Sequence, residues 1–132
     1  MAELHLEFVS PESVLFSGDV DQVDLPGAEG DMGILAGHAP LVTTLRPGVV
    51  TIFRGGAREA VVVTGGFADV GPAGLTVLAD RAVAREDFDT ATLANEIKDT
   101  EEDVADSTNE AQRDKLARHL EQLKTLQAAL TP

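Results

Sequence analysis

Pro26-Gly27-Ala28-Glu29-Gly30-Asp31-Met32-Gly33-Ile34-Leu35-Ala36-Gly37-His38-Ala39-Pro40 is the stretch on which the fold class turns. Four glycines, two prolines and one histidine lie here between two apolar segments, and that composition excludes a regular helix. Glycine loses more conformational freedom on ordering than any other residue, so it is placed where the backbone must bend sharply or be approached closely. The run therefore reads as a loop that turns a corner or is read by a neighbour.

On both sides of this run the pattern is that of strands. Leu4, Leu6 and Phe8 alternate with Glu3, His5 and Glu7, which gives one buried face. Ser10-Pro11-Glu12-Ser13 ends that segment, Val14 to Phe16 is a short apolar run, and Ser17-Gly18-Asp19 is expected to break it. Val49 to Phe53 and Glu59 to Thr64 flank Arg54-Gly55-Gly56-Ala57-Arg58 as a hairpin, and Gly71-Pro72-Ala73-Gly74 leads into Leu75 to Leu78. Several short strands separated by Gly and Pro turns predict a small antiparallel sandwich or barrel, because two sheets must cover each other's apolar faces.

From Asp87 onward glycine disappears, proline is absent until Pro132, and Ala, Leu, Glu, Asp, Lys, Arg and Gln dominate. This is helix-forming composition. Leu93, Ile97 and Val104 form one narrow apolar stripe, and Leu116, Leu120, Leu123, Leu126 and Leu130 form another. Between them Ser107-Thr108-Asn109-Glu110 has the form of a capping box, which starts a second helix near Thr108. So short a break predicts an antiparallel hairpin; one long helix with an external partner is the alternative. The chain thus reads as α+β: an N-terminal antiparallel β-sandwich over residues 1–86 and a C-terminal two-helix antiparallel hairpin over 87–132. The apolar seam is thin, so the hairpin is expected to be marginal by itself and to dock on the β-domain or open toward another protein.

The 132 residues carry a formal charge of −13, with −6 up to Arg85 and −7 after it, so both halves are acidic. That balance opposes a phosphate-rich partner and favours a basic protein surface. Five Phe with no Trp or Tyr argue against stacking on bases or sugars. Without cysteine there is no disulfide scaffold, thiol nucleophile or Cys-ligated zinc. No apolar run approaches the ~20 residues that cross a bilayer, and Met1-Ala2-Glu3-Leu4 lacks a signal pattern, so a cytosolic setting is the default expectation.

No residue set reads as catalytic. Asp19, Asp21 and Asp24 are spaced like calcium-loop acids but lack the following glycine and the terminal Glu, so they are expected to line a strand edge. His5, His38 and His119 lack the i, i+4 spacing of a helical metal pair. Gly27, Gly30 and Gly33 fit neither the dinucleotide fingerprint nor a P-loop. No cofactor, metal or nucleotide site is expected. The residues alone leave open a soluble β-sandwich adaptor that recruits a protein partner through its hairpin.

One ordered set of short segments adds to this: Ser10-Pro11-Glu12, Phe16-Ser17-Gly18, Pro26-Gly27, Gly30 to Leu35, Gly37 to Leu41, Leu45-Arg46-Pro47-Gly48, Gly65-Gly66-Phe67 and Thr76 to Asp80. In these segments, and over nearly its full length, the chain resembles the epsilon-subunit family of bacterial F-type ATP synthases, the counterpart of the mitochondrial delta subunit. The resemblance implies a non-catalytic rotor subunit of the central stalk, held peripherally at the cytoplasmic face of the bacterial inner membrane by its partners. It implies that Glu29 and Asp31 face polar loops of the c-ring, which typically carry arginine, and that His38, Ala39 and Pro40 face the gamma subunit. It also implies a regulatory hairpin, whose second helix carries Arg113, Lys115, Arg118 and Lys124 toward acidic segments of the alpha and beta head subunits. Some members bind ATP through [I/L]-D-x-x-R-A; here the segment is Phe88-Asp89-Thr90-Ala91-Thr92-Leu93, and Thr92 cannot replace the arginine's charge on phosphate.

Overall fold

The computed structural model describes residues 3–130. Ten strands are followed by a short 3-10 helix and two α-helices: β1 (Leu4–Ser10), β2 (Ser13–Val20), β3 (Gln22–Gly27), β4 (Gly30–Leu35), β5 (Leu41–Leu45), β6 (Gly48–Arg54), β7 (Ala57–Val63), β8 (Gly66–Gly71), β9 (Gly74–Ala79) and β10 (Ala82–Ala84), then α1 (Thr90–Asp106) and α2 (Glu110–Leu130). The strands pair in the order β10-β7-β6-β3-β5-β8-β9-β1-β2, with β4 beside β3. A single pair, Gly27 with Leu45, joins β3 to β5, so the path bends there and its two halves close over one core. Leu6, Phe8, Val23, Ile34, Val50, Val63 and Val77 meet in that core and are fully shielded from solvent.

Four details depart from the sequence reading. The Pro26–Pro40 run is mostly a hairpin, since Pro26 and Gly27 end β3 and Gly30 to Leu35 form β4; its glycines hide the alternation that buries Ile34. Strand β2 passes unbroken through Ser17-Gly18-Asp19, because β1 pairs with all three. One strand pair, β1 with β9, is parallel, with Leu6 opposite Leu75 and Phe8 opposite Val77; turn signals report only neighbouring strands, so this long-range pairing left no local trace. Finally, Asn109 rather than Ser107 caps α2, its Oδ1 accepting from the Gln112 amide at 3.1 Å. Ser107 instead ends α1, and its hydroxyl donates to the Asn109 carbonyl.

The Arg54 to Arg58 hairpin forms as expected. Gly55 and Gly56, at φ 58° and 82°, make the two-residue turn whose left-handed residues match the strand twist. In β7, Val61 and Val63 point into the sandwich while Val62 points out under the helices. Three consecutive buried valines are thus the mark of a strand covered on both faces.

The helices cover that outer face. Asp89 caps α1 by accepting from the Ala91 and Thr92 amides, and after the three residues that follow Asp106 the chain enters α2 and returns along α1. Leu93, Ile97, Leu123, Leu126 and Leu130 pack with Val62, flanked by Val49, Phe88 and Leu120. Glu96 meets His119 at 3.5 Å and Glu101 meets Lys124 at 3.7 Å across the seam. Arg85 ties the far end of α2 to the β-body, donating to the Leu130 carbonyl at 3.1 Å.

Candidate functional site

Glu29 sits at the tip of the β3–β4 hairpin, where Ala28 and Glu29 make the turn. Two main-chain bonds fix its base: the Ala28 amide donates to the Thr44 carbonyl and the Arg46 amide to the Pro26 carbonyl, both at 2.9 Å. The Arg46 guanidinium then donates to the Gly27 carbonyl and to the Asp31 carboxylate. Asp31, which stands largely in solvent, is therefore engaged within the chain. No hydrogen bond or ion pair engages the Glu29 carboxylate among the described residues.

His38, Ala39 and Pro40 lie in the connection from β4 to β5, after Gly37. The His38 amide donates to the Leu35 carbonyl at 3.1 Å, and its Nδ1–H donates to the Ala39 carbonyl at 2.8 Å. A carbonyl can only accept, so Nδ1 carries a proton. The Ala39 carbonyl thereby fixes the ring, and no carboxylate pairs with it among the described residues.

Sequence reading passed over the outer face of the half made by β5, β8, β9, β1 and β2. Thr44, Phe67, Leu78, Val9 and Val14 are successive cross-strand neighbours there. Val42 lies two residues before Thr44 on the same face and is 68% exposed; Val14 is 64% and Phe67 42% exposed. Apolar residues in register across four strands, with Val42 beside them on β5, are unlike singly scattered apolar residues, which need no explanation. Its signal was available, because strict alternation places these residues opposite the core face, where polar residues are the rule.

A polar cluster borders the row on β1 and β2. His5 Nε2 lies 2.9 Å from Glu7 and its Nδ1 3.2 Å from Asp19, while the Ser17 hydroxyl donates to Glu7 at 2.6 Å. Carboxylates face both ring nitrogens, so the hydrogen bond to Glu7, then that to Asp19, raises the imidazole pKa above its ordinary value. Glu7 is held low, first by Ser17 and then by His5. Of the other acids once compared with a calcium loop, Asp21 accepts from the Gly55 amide at 2.9 Å and Asp24 from Gln22 at 2.6 Å. Among the described residues, no three potential ligands gather in a metal-holding arrangement.

On α2, Arg113 donates to the Ser107 carbonyl at 2.6 Å and Lys124 pairs with Glu101, so these two cations serve the hairpin itself. Lys115 and Arg118 are exposed. A cleft of about 480 Å3 lies between the hairpin and β7, and among the described residues its wall carries Asp80, Asp87, Asp89 and Glu96 against one guanidinium, that of Arg81, with His119 beside them. Thr92 turns its hydroxyl to Asp89 at 2.7 Å and completes the helix cap. The hydrogen bonds from Thr92 and Ala91 hold the Asp89 carboxyl below its usual range. This carboxylate-rich wall is a poor electrostatic match for a triphosphate.

Comparison with known proteins gives a consistent picture. The family described as ATP synthase, Delta/Epsilon chain, beta-sandwich domain matches residues 3–85. The ATP synthase epsilon chain of Parvibaculum lavamentivorans is 52% identical over 128 residues, covering 96% of this chain and 97% of that one. The ATP synthase epsilon chain of a Bradyrhizobium species is 48% identical over 133 residues, covering 98% and 96%. Among solved structures, a chain in the OSCP/F1/c-ring assembly of Euglena gracilis mitochondrial ATP synthase superposes with a TM-score of 0.84 at 30% identity, over 99% of this chain and 83% of that one. A chain in the central stalk and c-ring of the Tetrahymena thermophila enzyme shares the fold, with a TM-score of 0.71 at 13% identity over 97% and 96%.

Proposed function

We propose, from the premise that this chain belongs to the ATP synthase delta/epsilon chain family, that it is a non-catalytic central-stalk subunit coupling c-ring rotation through gamma to ATP synthesis. The observation that carries this reading beyond family membership is the uncovered apolar row. The hairpin covers the outer face of β6 and β7, while the row from Val42 and Phe67 to Val14 is left exposed by the described residues. An apolar face that a folded chain leaves open is suited to a protein partner.

In this reading the row and the nearby His38-Ala39-Pro40 connection bind gamma, and the β3–β4 turn with Glu29 and Asp31 meets the basic loops of the c-ring. Rotation is transmitted because the body is stiff: its strands share a close-packed core, which passes a load on without yielding. Charge pairs at the turn set registry more than affinity. No helix among the described residues is long and apolar enough to cross a membrane, and attachment to the cytoplasmic face of the inner membrane runs through the c-ring. The hairpin rests folded on the body. Lys115 and Arg118 remain available to acidic segments of the alpha and beta subunits, whereas Arg113 and Lys124 must first leave their partners.

The test is co-purification. A tagged chain drawn from mildly solubilised membranes is expected to bring gamma and the c-ring with it, and Phe67→Glu is expected to lose both. Recovery of the tagged chain without either subunit would refute the reading.

A further inference from the structure

We infer that Arg46 is a positioning residue that shapes the β3–β4 turn, and that Glu29 rather than Asp31 is the anion this turn offers to a basic partner surface; the second half rests on the coupling function proposed above. The chain uses Arg46 at three points around the two turn residues. Its amide holds Pro26, and its guanidinium holds both Gly27 at the end of β3 and Asp31 near the start of β4. The planar fork of a guanidinium can span two acceptors in fixed directions, which an ammonium on a flexible stem does not reproduce. Ala28 is tied to Thr44 from the other side, so the turn is braced by residues 44 to 46 as a unit. Pro47, itself buried, follows directly and stiffens that brace.

The consequence is electrostatic. Asp31 and Arg46 together carry no net charge, and a cation approaching Asp31 meets the guanidinium beside it. Glu29 has no such neighbour among the described residues and projects from the tip of a turn whose path is fixed. Two acids two residues apart are thus divided into one that builds the turn and one that presents charge.

The test combines two measurements on the full chain: amide exchange at Ala28, Glu29 and Gly30, and affinity for a purified gamma–c-ring assembly over a range of salt. Glu29→Gln is expected to lower affinity about five- to tenfold and to remove most of its salt dependence, as loss of an exposed interfacial charge does. Asp31→Asn is expected to keep the salt dependence. Arg46→Met is expected to speed exchange at the three turn amides and lower affinity, and to add less than about twofold when combined with Glu29→Gln, because residues acting through one another are non-additive. Arg46→Lys, which keeps the charge and guards against misfolding of the Met variant, is expected to loosen the turn as well. Wild-type exchange in Arg46→Lys would overturn the bracing role. Additive losses in the double variant, or loss of salt dependence in Asp31→Asn but not in Glu29→Gln, would overturn the division of the acids. If wild-type chain fails to bind the assembly, the coupling function falls and the partner half of this inference with it, while the exchange measurement still decides the bracing role.

Discussion

Removing the Leu126 side chain down to Ala should detach the helices from a body that stays folded. Leu126 is 3% exposed and sits between α1 and β7 among Val62, Leu93, Ile97, Leu123 and Leu130. Truncating so buried a leucine costs ~2–5 kcal/mol, because the transfer term and the cavity left behind add. A middle value of ~3 kcal/mol corresponds to about a hundredfold rise in the undocked population, at tenfold per ~1.4 kcal/mol. Native-state hydrogen exchange reads this directly. In the wild type, α2 amides should open with a smaller free energy than those of β1 and β9, since the helices rest on one cluster and the strands on another. In Leu126→Ala the α2 amides should lose about a hundredfold in protection, and strand amides that exchange only after undocking should lose a similar factor while remaining far better protected than α2. Equal protection of helices and strands, in the wild type and in Leu126→Ala, would refute the reasoning and show one cooperative unit.

Three further outcomes are expected. Stability should depend on pH through His5: its folded pKa lies above the ordinary 6.5, so its contribution is complete below that value and fades as pH rises through the folded pKa. His5→Gln should abolish that dependence in thermal melts followed from pH 6 to pH 9, about the window set by a raised imidazole. Asn109→Ala should destabilise α2 by about 1 kcal/mol in denaturant titrations while Ser107→Ala costs less, and the reverse ranking would return the cap to Ser107. Gly66→Ala should fail to fold or melt far below the wild type by circular dichroism, because a Cβ there would lie 2.0 Å from the Leu78 carbonyl oxygen at a φ of +129°.

The strand content, the helical hairpin and their order were legible because they rest on local periodicity. Leu4, Leu6 and Phe8 alternate into the core, and Leu123, Leu126 and Leu130 mark the docked stripe of α2. What local pattern cannot carry is pairing at a distance. The parallel contact of β1 with β9 and the bend at Gly27 arise from the closure of the sandwich. The turn acids were visible by type, but the partner that separates their roles, Arg46, comes fifteen residues after Asp31 and meets it only in space. Asn109 prevailed over Ser107 as the cap because α1 runs to Asp106 and leaves Ser107 to end it. The apolar row is the plainest missed signal: Val42 and Phe67 alternate with the inward residues of their strands, and that alternation was open to reading.

Torque transfer in reconstituted vesicles tests the central claim most directly. ATP hydrolysis and proton pumping would be measured on the same enzyme with this chain intact, truncated after Glu86, or omitted. The account predicts that omission leaves hydrolysis without pumping and that the truncated form, which keeps the β-body, still pumps. Undiminished pumping per ATP in the enzyme lacking the chain would contradict it.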